Sequence, residues 1–377
     1  MASPEVLDFA RLLASIPGDR PTGANLREDF GHDSIYRRVR AARASAREAE
    51  RKVVFDDEEG VRADPPDWGP ILQLAPKLLA EESKDLEIAA LLIEALVRQH
   101  GYAGLRDGFR LIRELVEQYW DNLYPRIDED GVAARMAPLA GLNGEEGEGL
   151  LTAPLGKILI TQGNTCGPYS ANDYKQACEL DGVQDPDRRA RWLERRGVVT
   201  RDQFDRAVAE TSADWFRSLL DDMIQCADEY ARLCELLAEK CEVDESGYSL
   251  APPSSNIRDL LQECRETVEN ISRVALGAGE GEPADESSDG RAGALEPAGG
   301  GLPSRVETRE EAFRALLRAA EFFRRTEPHS PVSYALEQAV RWGKMPLPEL
   351  MGELIPDQAA REQLFKLVGI KRPEKTE

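Results

Sequence analysis

The sequence predicts an all-α protein: multi-domain helical bundles joined by a flexible linker to a small helical C-terminal domain. Three observations carry this. Apolar residues recur three and four apart through most of the 377 residues, the spacing of a single helix face. No two alternating runs flank a turn as a β-hairpin requires, and no fixed period marks a solenoid. Residues 277–301 consist largely of Gly, Ala, Glu, Asp, Ser and Pro. They have almost no large apolar side chain with which to offset the entropy of ordering, so they read as a linker.

In chain order, Leu7, Leu12 and Leu13 give a short amphipathic helix that ends before Pro17-Gly18. A second helix, rich in Ala and Arg, runs from about Ser34 to Lys52, and an acidic loop follows through Asp56-Asp57-Glu58-Glu59-Gly60 to Asp64-Pro65-Pro66. A third starts near Trp68, where Pro70 suits a first turn because its missing N–H has no helical partner there anyway. A fourth, about Lys84 to Gln99, is apolar nearly all round and is expected to be buried. It ends at His100-Gly101, with the glycine as a C-cap. A fifth covers about Leu105 to Asp121 and stops before Pro125.

The glycine- and glutamate-rich Gly141 to Gly149 reads as a loop, and Pro154 to Ile160 fits an extended or a helical reading equally. Helices resume near Ala171, Asp185, Thr200 and Ser212. Thr200 with Gln203 forms a capping box, and the helix from Ser212 to Lys240 is long. A further helix spans about Ile257 to Ala275. After the linker, Thr308 with Glu311 opens another helix with an apolar stripe at Phe313, Leu316, Leu317, Ala320 and Phe323. Pro328 and Pro331 remove two donors and fix φ, so that helix stops and a second begins at Tyr334-Ala-Leu336-Glu-Gln-Ala339-Val340-Arg-Trp342. The expected domains are 1–145, 150–276, the linker 277–301 and 302–377.

Composition narrows the function. Hydrophobic residues at 41% and charged residues at 31% describe an ordinary globular protein with a solvated surface. A net charge of −22 argues against nucleic acid and anionic membranes as partners, since both demand a positive field. The N-terminus carries charges where a signal peptide has its apolar core, and the most apolar stretch, Leu86 to Val97, is too short to span a bilayer. A cytoplasmic protein is expected. The six cysteines, Cys166, Cys178, Cys226, Cys234, Cys241 and Cys264, contain no C-x-x-C pair and read as reduced core thiols.

Searches for chemistry return little. There is no phosphate loop, and Gly277-Ala-Gly279-Glu-Gly281 lies in the linker with no preceding strand. The three histidines, His32, His100 and His329, are far apart and form no zinc-binding pair. In His32-Asp33-Ser34, adjacent side chains point in different directions, so Asp33 or Ser34 serves as a helix N-cap rather than as part of a triad. No catalytic residue, cofactor site or metal site is assigned. Two arginine-rich faces, Arg37, Arg38, Arg40, Arg43, Arg47, Arg51 and Lys52 on one helix and Arg188, Arg189, Arg191, Arg195 and Arg196 on another, read as solvated faces paired with the chain's own acids rather than as docking sites. Trp68, Trp120, Trp192, Trp215 and Trp342 are expected to pack in cores.

Several motifs occur together in one order. They are Asp67-Trp68 before a helix, Lys84-Asp85-Leu86 opening a buried helix, Gly101, Gly104-Leu105 and Gly108, then Tyr119-Trp120-Asp121-Asn122-Leu123-Tyr124-Pro125 and Arg135-Met-Ala-Pro-Leu139. Near the C-terminus stand Pro303-Ser304-Arg305, Glu311-Ala312 and Glu327-Pro328-His329-Ser330-Pro331-Val332. With this run the chain resembles the ImpA-type (TssA) family of the bacterial type VI secretion system, at both ends. Residues 150 to 275 are placed only by position. The N-terminal motifs read as structural: Asp85 sits where the helix dipole favours an anion, Trp120 packs as the helix ends, and Pro125 blocks continuation. His329 reads as a structural histidine in its Pro-x-x-Pro turn.

The resemblance implies a non-enzymatic assembly factor without cofactors, acting in the cytoplasm at the inner-membrane machine. Its expected partners are further copies of itself and the baseplate, membrane-complex and sheath or tube proteins. The N-terminal part, 1–145, would be the ImpA-type domain and 302–377 an oligomerisation domain that forms a ring, with arms projecting on linkers; the short C-terminal domain favours a baseplate role. A domain of that size has little interior, so some of Phe313, Leu317, Phe322, Phe323, Tyr334, Leu336, Trp342 and Leu350 are expected at subunit contacts. Two alternatives stand beside this: a monomeric adaptor or chaperone serving such a machine, and an all-α hydrolase with an unrecognised carboxylate site.

Overall fold

The computed structural model describes residues 2–31, 33–56, 65–127, 131–144, 147–193, 197–241, 243, 249–273, 275–277, 309–326, 332–345 and 350. Among them the chain is all-α, with four isolated β-bridges and no strand. It divides into two units, Met1–Ala284 and Asp285–Glu377. No helix of the described residues is long and apolar enough to cross a membrane.

The first unit contains α1 (Phe9–Leu13), α2 (Ile35–Asp56), α3 (Gly69–Glu81), α4 (Leu86–Tyr119), α5 (Gly131–Asn143), α6 (Thr152–Gly156), α7 (Ala171–Asp181), α8 (Pro186–Leu193), α9 (Arg201–Glu210), α10 (Ala213–Lys240) and α11 (Ser255–Ser272). Short 3₁₀ turns occupy Leu26–Glu28 and Trp120–Asn122. The starts follow local chemistry. Asp8, Asp85, Ser170, Thr200 and Ser212 each accept an N–H of their helix's first turn through the side chain, and the Thr200–Gln203 box closes in both directions. Pro70 occupies the first turn of α3 as expected. Ser34 precedes α2 and accepts from the Arg37 amide at 3.5 Å.

The centre of the unit is α4, which is a hairpin. Gly101 breaks it at φ 54° and ψ −132°, a region open only to glycine. The limbs then run back against each other. At the open end, the Leu86 amide donates to the Tyr124 carbonyl at 2.8 Å and the Tyr124 amide to the Lys84 carbonyl at 3.0 Å. Nearer the tip, Gly104 faces the Leu96 carbonyl, and a Cβ on Gly108 would lie 2.5 Å from Ile93 Cγ1. The Gly104 and Gly108 motif positions thus exist to let the limbs touch. Gly104→Ala is expected to cost about 2–3 kcal/mol in chemical denaturation, because a backbone carbonyl blocks the methyl. Gly108→Ala should cost about 1 kcal/mol, because the Ile93 side chain can turn away. Equal effects would remove this explanation.

Helix α10 packs along α4, with α2 and α3 packed in sequence on it and α11 on α10. Phe109 of α4 and Tyr230 of α10 meet at 4.7 Å between ring centroids. One hydrophobic core runs through Leu92, Leu105 and Ile112 of α4 to Phe216 and Met223 of α10 and Leu261 of α11. Residues on either side of 145–150 therefore share that core.

Several expectations shift. The helix expected over Lys84–Gln99 and that over Leu105–Asp121 are the limbs of α4, joined with no intervening loop. Helix α5 was not foreseen: it holds Pro138 in its interior and absorbs the start of the Gly141–Gly149 loop, and an interior proline conceals a helical period. Pro154–Ile160 divides between α6 and extended chain, Leu159 bridging Ser170. Trp68 is buried, while Trp120, Trp192, Trp215 and Trp342 are half-buried. All six cysteines are free. Cys226, Cys241 and Cys264 are buried, and burial pushes the Cys241 thiol up to about 11. On the arginine face of α2, Arg40 and Arg43 pair with Glu87 and Glu94, and Lys52 with Glu48. Arg188, Arg189 and Arg191 are exposed, with Arg189 3.8 Å from Asp181.

The N-terminal segment is fastened by a charge cluster that no sequence pattern announced. Arg106 spans Asp107 at 2.8 Å and Asp222 of α10 at 3.1 Å, and donates to the Ser3 and Pro4 carbonyls. The Ser3 amide and hydroxyl return to Asp222 at 2.8 and 2.6 Å.

The second unit shows α12 (Arg309–Thr326) packed on α13 (Val332–Lys344). Ala320, Ser333 and Val340 are buried. Phe313 lies over Gly343, where a Cβ would come within 2.5 Å of the ring.

Candidate functional site

The motif residues converge on the open end of the α4 hairpin. Residues 120–125 turn the chain out of α4 and reach Pro125 through a cis Tyr124–Pro125 bond. Arg135 of α5 enters this turn fully buried. Its guanidinium donates to the Trp120 carbonyl at 2.5 Å, the Pro125 carbonyl at 2.8 Å and the Leu123 carbonyl at 3.0 Å, and it lies 5.0 Å from the Trp120 ring centroid. A fork of rigid N–H donors suits three carbonyls fanned around one point. Burial pulls the Arg135 pKa below the ordinary guanidinium value. Asp121 is exposed on the 3₁₀ turn, and Leu86 is in the core.

Lys84 and Asp85 sit across from that turn, adjacent in sequence and opposite in task. The Lys84 ammonium donates to the Leu12 carbonyl at 2.6 Å and the Leu79 carbonyl at 2.7 Å, near the C-terminal ends of α1 and α3. Helix C-termini carry partial negative charge and orphan carbonyls, so one buried cation closes two of them. Burial lowers its pKa to about 8. Asp85 is the N-cap of α4: it accepts from the Glu87 amide at 2.8 Å and from Arg27 at 2.7 Å. Arg27 continues to Glu87 at 2.6 Å, which also accepts from the Tyr36 hydroxyl at 3.0 Å. Burial pushes the Asp85 carboxyl up, against the pull of Arg27 and the Glu87 amide.

Trp68, before α3, donates through Nε1 to Glu50 of α2 at 3.0 Å, and Arg98 of α4 stacks 3.9 Å from its ring centroid while clasping the same Glu50. Trp68 therefore joins three helices.

The structure brings together Lys84, Asp85, Leu86, Trp120, Asp121 and Pro125 at the base of the hairpin and puts Gly101 at its tip. Glu327, Pro328, Ser330 and Pro331 lie outside the described residues, as do the side chains of Phe322 and Phe323. Of the C-terminal apolar set, Tyr334 is 64% and Leu317 40% exposed, while Phe313, Leu336, Trp342 and Leu350 are half-buried. Sequence reading quoted Arg135 in a motif without seeing its task and passed over Arg27 and the Arg106 cluster. For Arg135 the available signal was an arginine between Ala134 and Met136; Arg27 and Arg106 each stand beside an acid and carry no such mark.

The family model for ImpA, N-terminal, type VI secretion system, matches residues 13–144. The type VI secretion system component TssA1 of Pseudomonas aeruginosa is 28% identical over 360 residues, covering 93% of this chain and 96% of that protein. Among solved structures, the N-terminal domain including the conserved ImpA_N region of the TssA component from Burkholderia cenocepacia superposes with a TM-score of 0.58 at 22% identity, over 71% of this chain and 94% of that one; at that identity the likeness speaks for the fold. The hairpin base, with its motif residues, lies inside the matched region. Residues 13–144 thus match the ImpA N-terminal family of the type VI secretion system, and the chain along most of its length is similar to a TssA component of that system.

Proposed function

We propose that this chain is a structural component of a type VI secretion machine that assembles into a ring through residues 302–377 and presents its N-terminal unit outward on the 277–301 linker, near the baseplate. The observation that carries the reading is similarity to a named secretion component along 93% of the chain. The exposed Leu317 and Tyr334 on the paired α12 and α13 support self-association, since apolar side chains on so small a unit gain most by packing against another copy. A ring of tethered N-terminal units raises the effective concentration of weak docking contacts, which suits coordination of sheath and tube assembly. The partners of this reading are baseplate, membrane-complex and sheath or tube proteins, and the location is the cytoplasmic side of the inner membrane.

The test is the solution mass of the full chain by light scattering after size exclusion. A large assembly is expected, reduced to monomer or dimer both by Leu317→Glu with Tyr334→Glu and by ending the chain at Gly277. A full chain that stays monomeric at tens of micromolar sinks the ring and moves the adaptor reading ahead.

A further inference from the structure

We propose that α12 pairs with the α12 of a second copy, antiparallel across a two-fold axis beside Leu317, so that Arg314 of each copy meets Glu321 of the other. The contact rests on the self-association proposed for residues 302–377 and gives it a surface. The inner face of α12 is spent on α13: Ala320 is buried, Phe313 lies over Gly343, and Arg324 pairs with Glu337. Arg314, Leu317 and Glu321 follow at spacings of three and four, which puts them on one stripe of the helix. All three are exposed, Leu317 by 40%, and neither charge has an ion pair or side-chain hydrogen bond among the described residues.

The charges of that stripe are antisymmetric about the middle of the helix. The midpoint of α12 (Arg309–Thr326) falls between Leu317 and Arg318. Arg314 and Glu321 stand at mirror positions about this point with opposite signs, and in the sequence so do Glu310 and Arg325, one turn further out on each side. Laid antiparallel on a copy of itself, such a helix sets every acid of the stripe against a base. Laid parallel and in register, it sets like against like. A two-fold contact demands a self-complementary surface, and this stripe is one. Arg318 points about 100° round the helix from Leu317, so its head group stays in water at the rim. The exposed charge pairs fix register and direction more than they add affinity, while the two Leu317 side chains beside the axis supply apolar contact. A two-fold contact by itself stops at pairs, and the exposed Tyr334 of α13 is left to join pairs into a ring.

The experiment is light scattering after size exclusion on the full chain carrying Arg314→Glu or Glu321→Arg, each alone and the two mixed. Either substitution alone sets like charges together at both ends of the contact, and the mass is expected to fall to about half that of the parent or less. In the mixture, one copy carries two acids on the stripe and the other two bases, so unlike copies pair and the parental mass returns. The doubly exchanged chain, Arg314→Glu with Glu321→Arg, restores the pattern within each copy and should regain most of the mass on its own. Both side chains are exposed, so circular dichroism should match the parent throughout. Single variants that keep the parental mass, or a mixture and a double exchange no heavier than the single variants, overturn the α12 contact and leave the parental assembly standing. A parent that is itself monomeric at tens of micromolar overturns the contact together with the ring.

Discussion

Arg135→Leu is expected to destabilise the first unit by about 3–5 kcal/mol, lowering its melting temperature by roughly 10 °C. The substitution leaves the carbonyls of Trp120, Leu123 and Pro125 without the donor that gathers them, in a turn buried at Leu123 and half-buried at Trp120 and Pro125. Leucine has volume but no polar atom, so the loss is that of unsatisfied acceptors rather than of packing. Arg135→Lys should recover less than half of it, because an ammonium is one compact donor site and cannot reach three fanned oxygens at once. Thermal unfolding followed by circular dichroism decides this. A leucine variant melting within about 2 °C of the parent, or a lysine variant equal to it, would show that the turn holds itself. The effect should be confined to stability, since Arg135 serves the base of the hairpin in the first unit and the proposed α12 contact lies in the second.

Lys84→Met is the second large effect, about 2–4 kcal/mol at neutral pH, because the Leu12 and Leu79 carbonyls lose the one cation that caps both helix ends. This variant also carries a pH signature. The folded pKa of Lys84, about 8, lies below its unfolded value near 10.5, so between those values the unfolded chain binds the extra proton. Unfolding free energy then rises with pH across that window, as the desolvation cost of the charged amine is relieved. Parent and variant share every other titrating group, so their difference isolates Lys84. The gap between them should widen from pH 8 to 10.5 by ~3 kcal/mol. A gap that stays flat or narrows would mean that the ammonium is not buried as described.

Much of the fold was legible. The Thr200–Gln203 capping box, the apolar run from Leu86 to Val97 and the long stripe from Ser212 to Lys240 fixed helix type and approximate bounds, because these signals are local and act within one or two turns; Thr308 of the other box lies outside the described residues. Helix α5 escaped because Pro138 breaks the rule that the eye applies, although a helix tolerates an interior proline when tertiary packing compensates. The glycines at 101, 104 and 108 were visible as a motif but not as a hairpin, since their meaning lies in what approaches them: Leu96, Ile93 and Ile158.

The sequence by itself determined the all-α class, most of the helix starts, the family resemblance and the residues worth watching, since each rests on neighbours along the chain or on order and spacing. Only the tertiary structure decided what the buried charged residues do. Lys84 meets carbonyls from two other helices, Arg135 a turn ten to fifteen residues away, and Arg106 a carboxylate 116 residues on. A charge can leave water only where partners from distant parts of the chain converge on it, and that convergence is a property of the folded chain.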